Sequence, residues 1–242
     1  MDDYLEDSIH PDSGLDFENW LDSTARNLLQ KLGCHCSPVL PAFFQPWLGR
    51  NRGDLKKKAP TLHPRENRQR GELKASQESD SLRNAAKLAG ANFLRVFGPK
   101  VRSDSLPAVL DHLALEILAP KTWLEECWGA SQTLQAIAAH FPGLWGETLA
   151  LRLARFWHAN PSATVAWFQG GQRIWTCRGG CKSYRTPLSD LEMAAWTGTR
   201  EYSRPVHLRE PAEEAHGFPF HSGFPKGEVV VHFQNGFPVQ IN

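Results

Sequence analysis

The chain has 242 residues, 41% of them apolar, with 27 Lys and Arg against 26 Asp and Glu. That balance argues against a strongly basic nucleic-acid binder, and the apolar content suffices for a packed core. No run approaches the ~18 apolar residues of a membrane span. The acidic start MDDYLEDSIH is unlike a signal peptide, and five Cys are too sparse for a disulfide scaffold. We expect a reduced protein of the cytoplasm or nucleus, away from membranes.

Residues 1–30 hold eight acids and one base, net −7. Phe17, Trp20, Leu21, Thr24, Leu28 and Leu32 recur at helical spacing and Gly33 suits the stop, which predicts one helix. Cys34, His35 and Cys36 follow, without the two-residue gap that lets paired thiolates close on one zinc. The aromatic run Phe43, Phe44, Trp47 reads as docking on a core, and closes a first segment over 1–49. Residues 50–75 hold nine bases and three acids, net +6, with Pro60 and Pro64 and few large apolar side chains. We read 50–80 as a basic flexible linker. The sequence does not decide whether KKK and RENRQR direct nuclear import.

Residues 81–158 read as helical. Ser81 suits an N-cap, and Leu82, Ala86, Ala89, Phe93 and Phe97 recur every three to four residues. Ser105 can cap the next helix, with Pro107 in its first turn. Leu110, Leu113, Ala114, Ile117 and Leu118 then form a wide apolar stripe. Pro120 breaks it, and Thr122 with Glu125 predicts a capping box for a second helix through Leu124, Cys127 and Trp128. Gly129 is expected to loosen that helix before Leu134 and Ile137. A third helix is predicted after Pro142-Gly143, with Leu149, Leu153, Phe156 and Trp157 on one face.

The motif Leu106-Pro107-x-x-Leu110, then Ile117-Leu118, Pro120-Lys121-x-x-Leu124, Ser131 and Pro142-x-Leu144-Trp145 resembles an F-box. Ala108 and Val109 stand where that family has an acidic residue, and Leu134 replaces its usual aromatic. The resemblance covers about residues 105–150 and implies a three-helix module, here about 101–158. It also implies docking on the Skp-type adaptor and cullin scaffold of a ubiquitin ligase. The adaptor contacts it implies are Leu106, Pro107, Leu110, Ile117, Leu118 and Leu124.

Residues 159–242 change character. TVAWFQGGQRIWTCRGGCKSYRT predicts a three-strand meander, SDLEMAAWTG a short helix capped by Ser189, and RPVHLRE a strand. Asn235-Gly236 between apolar runs predicts a hairpin. The segment REPAEEAHGFPFHSGFPKG reads as a long loop of the kind that carries binding function. Helices followed by antiparallel strands give an α+β fold, with the β-rich region as the target-binding part.

Chemical alternatives are few. Cys177 and Cys181 flank a Gly turn, but no second Cys pair follows, and His207, His216, His221 and His232 lack ligand-like spacing. We expect no metal and no cofactor, with Cys34/Cys36 and Cys177/Cys181 left open as zinc ligands. A papain-like cysteine peptidase is the runner-up, with Cys127 as nucleophile and His207 or His221 as base. Against it, Cys127 is placed several residues into its helix, beside Glu125 and Glu126, which would raise its pKa. The common hydrolase and nucleotide motifs are absent. The sequence thus reads as a non-enzymatic ubiquitin-ligase adaptor with an unnamed protein target. A plain α+β interaction protein without a ubiquitin role is the further alternative.

Overall fold

The computed structural model describes residues 15–31, 64–97, 105–141, 144–179, 181–183, 187–220 and 227–234. They form seven helices and a six-stranded antiparallel sheet, an α+β fold. None of these helices is long and apolar enough to cross a membrane. The chain divides into two compact units. One comprises Met1–Lys58, Asp80–Glu125 and Phe141–Gly143; the other comprises Ala59–Ser79, Glu126–His140 and Leu144–Asn242.

The first unit is helical. Helix α1 (Leu15–Lys31) buries Phe17, Leu21, Thr24 and Leu28 of the expected stripe and adds Ala25 and Leu29, while Trp20 is half-buried. Helix α2 (Pro64–Phe97) enters this unit over its C-terminal part, and α3 (Leu106–Leu118) completes it. Asp111 of α3 pairs with Arg83 at 2.8 Å and Lys87 at 2.5 Å on α2. Gly90 lets the two helices approach closely, since a Cβ there would sit 3.0 Å from the Leu113 side chain. Phe17 of α1 meets His112 edge-on at 6.0 Å. Helix α4 (Lys121–Ser131) starts after Pro120, and its first N–H is accepted by the buried Glu116 carboxylate at 2.6 Å. The Thr122–Glu125 capping box does not form, and the Thr122 hydroxyl is buried without a hydrogen-bond partner.

The second unit is built on the sheet. Helices α5 (Leu134–His140) and α6 (Glu147–Phe156) precede it. Strands β1 (Ala163–Gln169), β2 (Gln172–Arg178) and β3 (Cys181–Ser183) form the expected meander. Gly170 and Gly171 make its first turn at φ +60° and +80°, as a two-residue hairpin requires. Helix α7 (Asp190–Tyr202) follows, with both bonds of the Ser189–Glu192 capping box present. Strands β4 (Val206–Arg209), β5 (Glu213–Phe220) and β6 (Gly227–Gln234) complete the order β3-β2-β1-β6-β5-β4.

Alternation splits the sheet into two apolar faces. Ala166, Phe168, Ala215 and Val230 pack on Leu191 and Ala195 of α7. Among residues of opposite parity, Phe233 takes Trp157 edge-on at 5.0 Å and Trp128 at 6.1 Å. Trp175 Nε1 donates to Glu147 Oε1 of α6 at 2.9 Å.

Beyond the Thr122–Glu125 capping box, four readings differ from the structure. Residues 64–80, read as linker, are helical, because Arg, Glu, Gln, Lys and Ala carry high helix propensity whatever their charge. Residues 213–220, read as loop, are a strand inside the sheet; its Gly217, Pro219 and buried polar Glu214 and His216 are not strand signals. Gly129 does not interrupt α4, which ends where Gln132 takes φ +50°. The stretch 106–156 holds four helices rather than three, and the division between units falls inside α4. The Asn235-Gly236 hairpin and the segment 34–49 lie outside the described residues.

Candidate histidine–glutamate site

Among the described residues, the β4–β5 hairpin brings two histidines and a glutamate together. Its register sets His207 directly opposite His216. Glu214 lies two residues before His216 on the same strand, and so on the same face. The two imidazoles stack with centroids 4.2 Å apart and planes 14° apart. Both direct Nε2 at one oxygen: Glu214 Oε1 lies 2.5 Å from His207 Nε2 and 3.1 Å from His216 Nε2. The His216 contact is in ion-pair range but poorly aligned for a hydrogen bond. His216 and Glu214 are 4% and 8% exposed at the side chain, whereas His207 is 48% exposed. Trp128 closes the inner side, its ring 5.4 Å from His216.

Burial is the main cause that pushes the His216 imidazole down, to about 4; neighbouring His207 adds to it, and Glu214 opposes it. The ring is therefore neutral near pH 7, with a ring nitrogen able to accept a proton, a hydrogen bond or a metal ion.

His232, on the opposite face of the sheet, has the reverse balance. Its Nδ1 is 3.2 Å from Glu192 Oε1 of α7, and its Nε2 is 3.2 Å from Glu213 Oε2. Burial disfavours the charged ring, but the contacts and charges of Glu192 and then Glu213 outweigh it and hold His232 above its ordinary pKa. Burial likewise pushes Glu192 up, and its contacts with His232 and the Ser189 backbone, with the charges of His232 and Arg178, outweigh that and hold it low. This pair bolts α7 to the sheet.

The residues singled out by the F-box resemblance separate into two groups. Leu106 and Leu110 are partly exposed and Pro107 is exposed, all at the start of α3. Ile117, Leu118 and Leu124 are 0–2% exposed, so their apolar surface is already covered within this chain. Cys127 lies six residues into α4, and burial pushes its thiol up. Among the described residues no hydrogen bond joins it to a histidine; His207 faces Glu214 and His216 instead. His221 lies outside the described residues. Cys177 is buried in β2.

His207, His216, His221 and His232 lack ligand-like spacing along the chain, yet the fold brings His207 and His216 together with Glu214, their potential ligand atoms within 4.8 Å of one another. Chain spacing hides this because the hairpin, not the sequence, brings His207 to His216. The sequence signal was Glu-x-His at 214 and 216, two same-face positions of a strand, overlooked because the segment reads as loop.

No protein-family model matches this chain, and no curated protein matches it. Its fold is similar to that of a solved structure named as a Mycobacterium tuberculosis transcriptional regulator, with a TM-score of 0.51 and 10% identity. The likeness covers 90% of this chain and 78% of that one. At such identity it is a likeness of fold, and fold alone does not carry function.

Proposed function

We propose that this chain is a non-enzymatic interaction protein that docks on its partner through the start of α3, the partner being the Skp-type adaptor of a cullin–RING ubiquitin ligase. The observation that carries the reading is the contrast along α3. Leu106, Pro107 and Leu110 stand at least partly clear of the core, whereas Ile117 and Leu118 are fully inside it. Docking of this kind uses the helix start alone and leaves the core intact, so Ile117, Leu118 and Leu124 act as support for the surface. The raised thiol pKa of Cys127 favours an adaptor over a peptidase, whose nucleophile needs a lowered one. The β-rich region would recruit the target, and ligase machinery would supply the transfer chemistry.

The +6 charge of residues 50–75 favours a second reading in which the partner is nucleic acid. Phosphate contacts by Lys and Arg give affinity that falls steeply with salt. Titration of the full chain against purified Skp-type adaptor, and separately against a DNA duplex at low and high salt, tests both. Saturable adaptor binding with no salt-sensitive DNA binding supports docking; the reverse pattern supports the second reading and overturns the first.

A further inference from the structure

We propose that His207, Glu214 and His216 form a binding site for a borderline divalent transition-metal ion of the zinc class. The site is independent of the docking surface on α3 and lies wholly within the sheet unit.

The donor set fits that ion class. Two imidazole nitrogens and one carboxylate oxygen match the His2Glu sets that hold zinc with three protein ligands, and a remaining position is left to solvent. The ligand atoms lie within 4.8 Å of one another. At metal–ligand distances of about 2.0–2.1 Å, neighbouring ligands on one ion stand roughly 3 Å apart. The 3.1 Å between His216 Nε2 and Glu214 Oε1 already meets that spacing. The 2.5 Å between His207 Nε2 and the same oxygen is tighter and must open slightly.

The stacked rings present parallel edges, so closing on an ion requires one of them to tilt. His207 can do this because it is about half exposed and sits on β4, an edge strand. The buried pair, Glu214 and His216, stays as the fixed half of the site, held by the neighbours of β5 on both sides and by the Trp128 ring. The exposed side of His207 is also the entry path for the ion.

Without an ion the arrangement is unbalanced. Glu214 is a buried carboxylate facing two rings. The His216 side chain is 4% exposed, and its Nε2 points at the Glu214 carboxylate 3.1 Å away without the alignment of a full hydrogen bond. A divalent ion between the three would satisfy that nitrogen and the carboxylate charge together, which a bare His–Glu bond to His207 does not.

The test is isothermal titration of the full-length, chelator-treated chain with Zn²⁺ alone, with bound metal counted after dialysis. The expected result is one ion per chain for the wild type. His207→Gln and Glu214→Gln should each weaken binding by about a hundredfold or more, since even outer-shell changes cost about 10–100-fold. His207→Gln is the reference variant because its amide can still donate to Glu214 from the exposed edge position, and circular dichroism should show it folded. Co²⁺ in place of Zn²⁺ should give a spectrum without thiolate charge-transfer bands, which separates the site from the cysteines. A wild type that retains no ion overturns the proposal. So does a wild type whose ion is held equally well by both variants, or one whose Co²⁺ spectrum shows thiolate ligation.

Discussion

His232 and Glu192 form an ion pair sealed from solvent: Nδ1 lies 3.2 Å from Oε1, and the two side chains are 0% and 1% exposed. The pair couples α7 to β6 and gives stability a defined pH dependence. His232 is held above its ordinary value of 6.5, so its contribution is full below pH 6.5 and is lost as pH rises through the raised value. Glu192 is held below its ordinary 4.5, so its contribution is full above pH 4.5 and is lost as pH falls through the lowered value. The pair therefore stabilises fully between those two values. Urea unfolding of the chelator-treated protein across this range should show a plateau with a falling alkaline limb. Glu192→Gln keeps an acceptor for the Ser189 N–H but leaves His232 facing a neutral amide. It should cost about 3–5 kcal/mol, as breaking one side of a buried pair does, and should flatten the alkaline limb. An alkaline limb of unchanged slope in the variant would contradict this account of the pair.

Gly217 marks where β5 and α7 touch. A Cβ at that position would collide with the Thr199 hydroxyl and lie 2.9 Å from the Ala195 carbonyl oxygen. Gly217→Ala should destabilise by about 1–3 kcal/mol, the usual range for overpacking. Thr199→Ala removes the nearest clash and should recover part of that loss in the double variant, a coupling readable as a non-additive shift in unfolding midpoint. Strictly additive effects would mean the helix shifts away from the strand instead.

Much of the fold is legible in the sequence because its signals are local. The stripe from Phe17 to Leu29, the Gly170-Gly171 turn and the Ser189–Glu192 capping box all follow from short-range rules. What escapes is set by partners distant in the chain. β5 reads as loop because its buried positions Glu214 and His216 are polar, and only pairing with β4 and other elements gives them neighbours. The cap of α4 comes from Glu116 on the preceding helix, not from Thr122, whose sequence pattern is the better cap signal. The start of α3 carries the F-box-like Leu106-Pro107 pattern openly, yet no pattern reveals that Ile117, Leu118 and Leu124 are core while Leu106 and Pro107 stand clear. The histidine–glutamate group follows the same logic: each member is visible, but the hairpin register that joins them is not.

Cys127 separates the adaptor from the peptidase chemically. Its thiol is pushed up by burial, and it sits past the first turn of α4, where the helix dipole has faded. The pH dependence of its alkylation, followed by mass spectrometry, should give a midpoint above the ~8.5 of free cysteine. Cys127→Ser should leave partner binding unchanged. A midpoint clearly below that of free cysteine would favour the nucleophile role.

Core and docking positions in the first unit should respond oppositely to truncation. Ile117→Ala or Leu124→Ala, at sites 0% exposed, should lose about 2–5 kcal/mol of stability. Leu106→Ala, at a partly exposed site, should lose far less, within the ordinary surface range of about 0.5 kcal/mol. Thermal unfolding of the single variants measures both; equal losses at Leu106 and Ile117 would place the helix start in the core.

Docking through the start of α3 is tested most directly by a pull-down of purified Skp-type adaptor with wild type and with the Leu106→Ala, Pro107→Ala double variant, each checked by circular dichroism. The account predicts that the wild type captures the adaptor and that the double variant stays folded and loses capture, apolar anchors of this kind costing about 2 kcal/mol or more each. A wild type that captures nothing, a double variant that unfolds, or a folded double variant that captures as well as the wild type would contradict it.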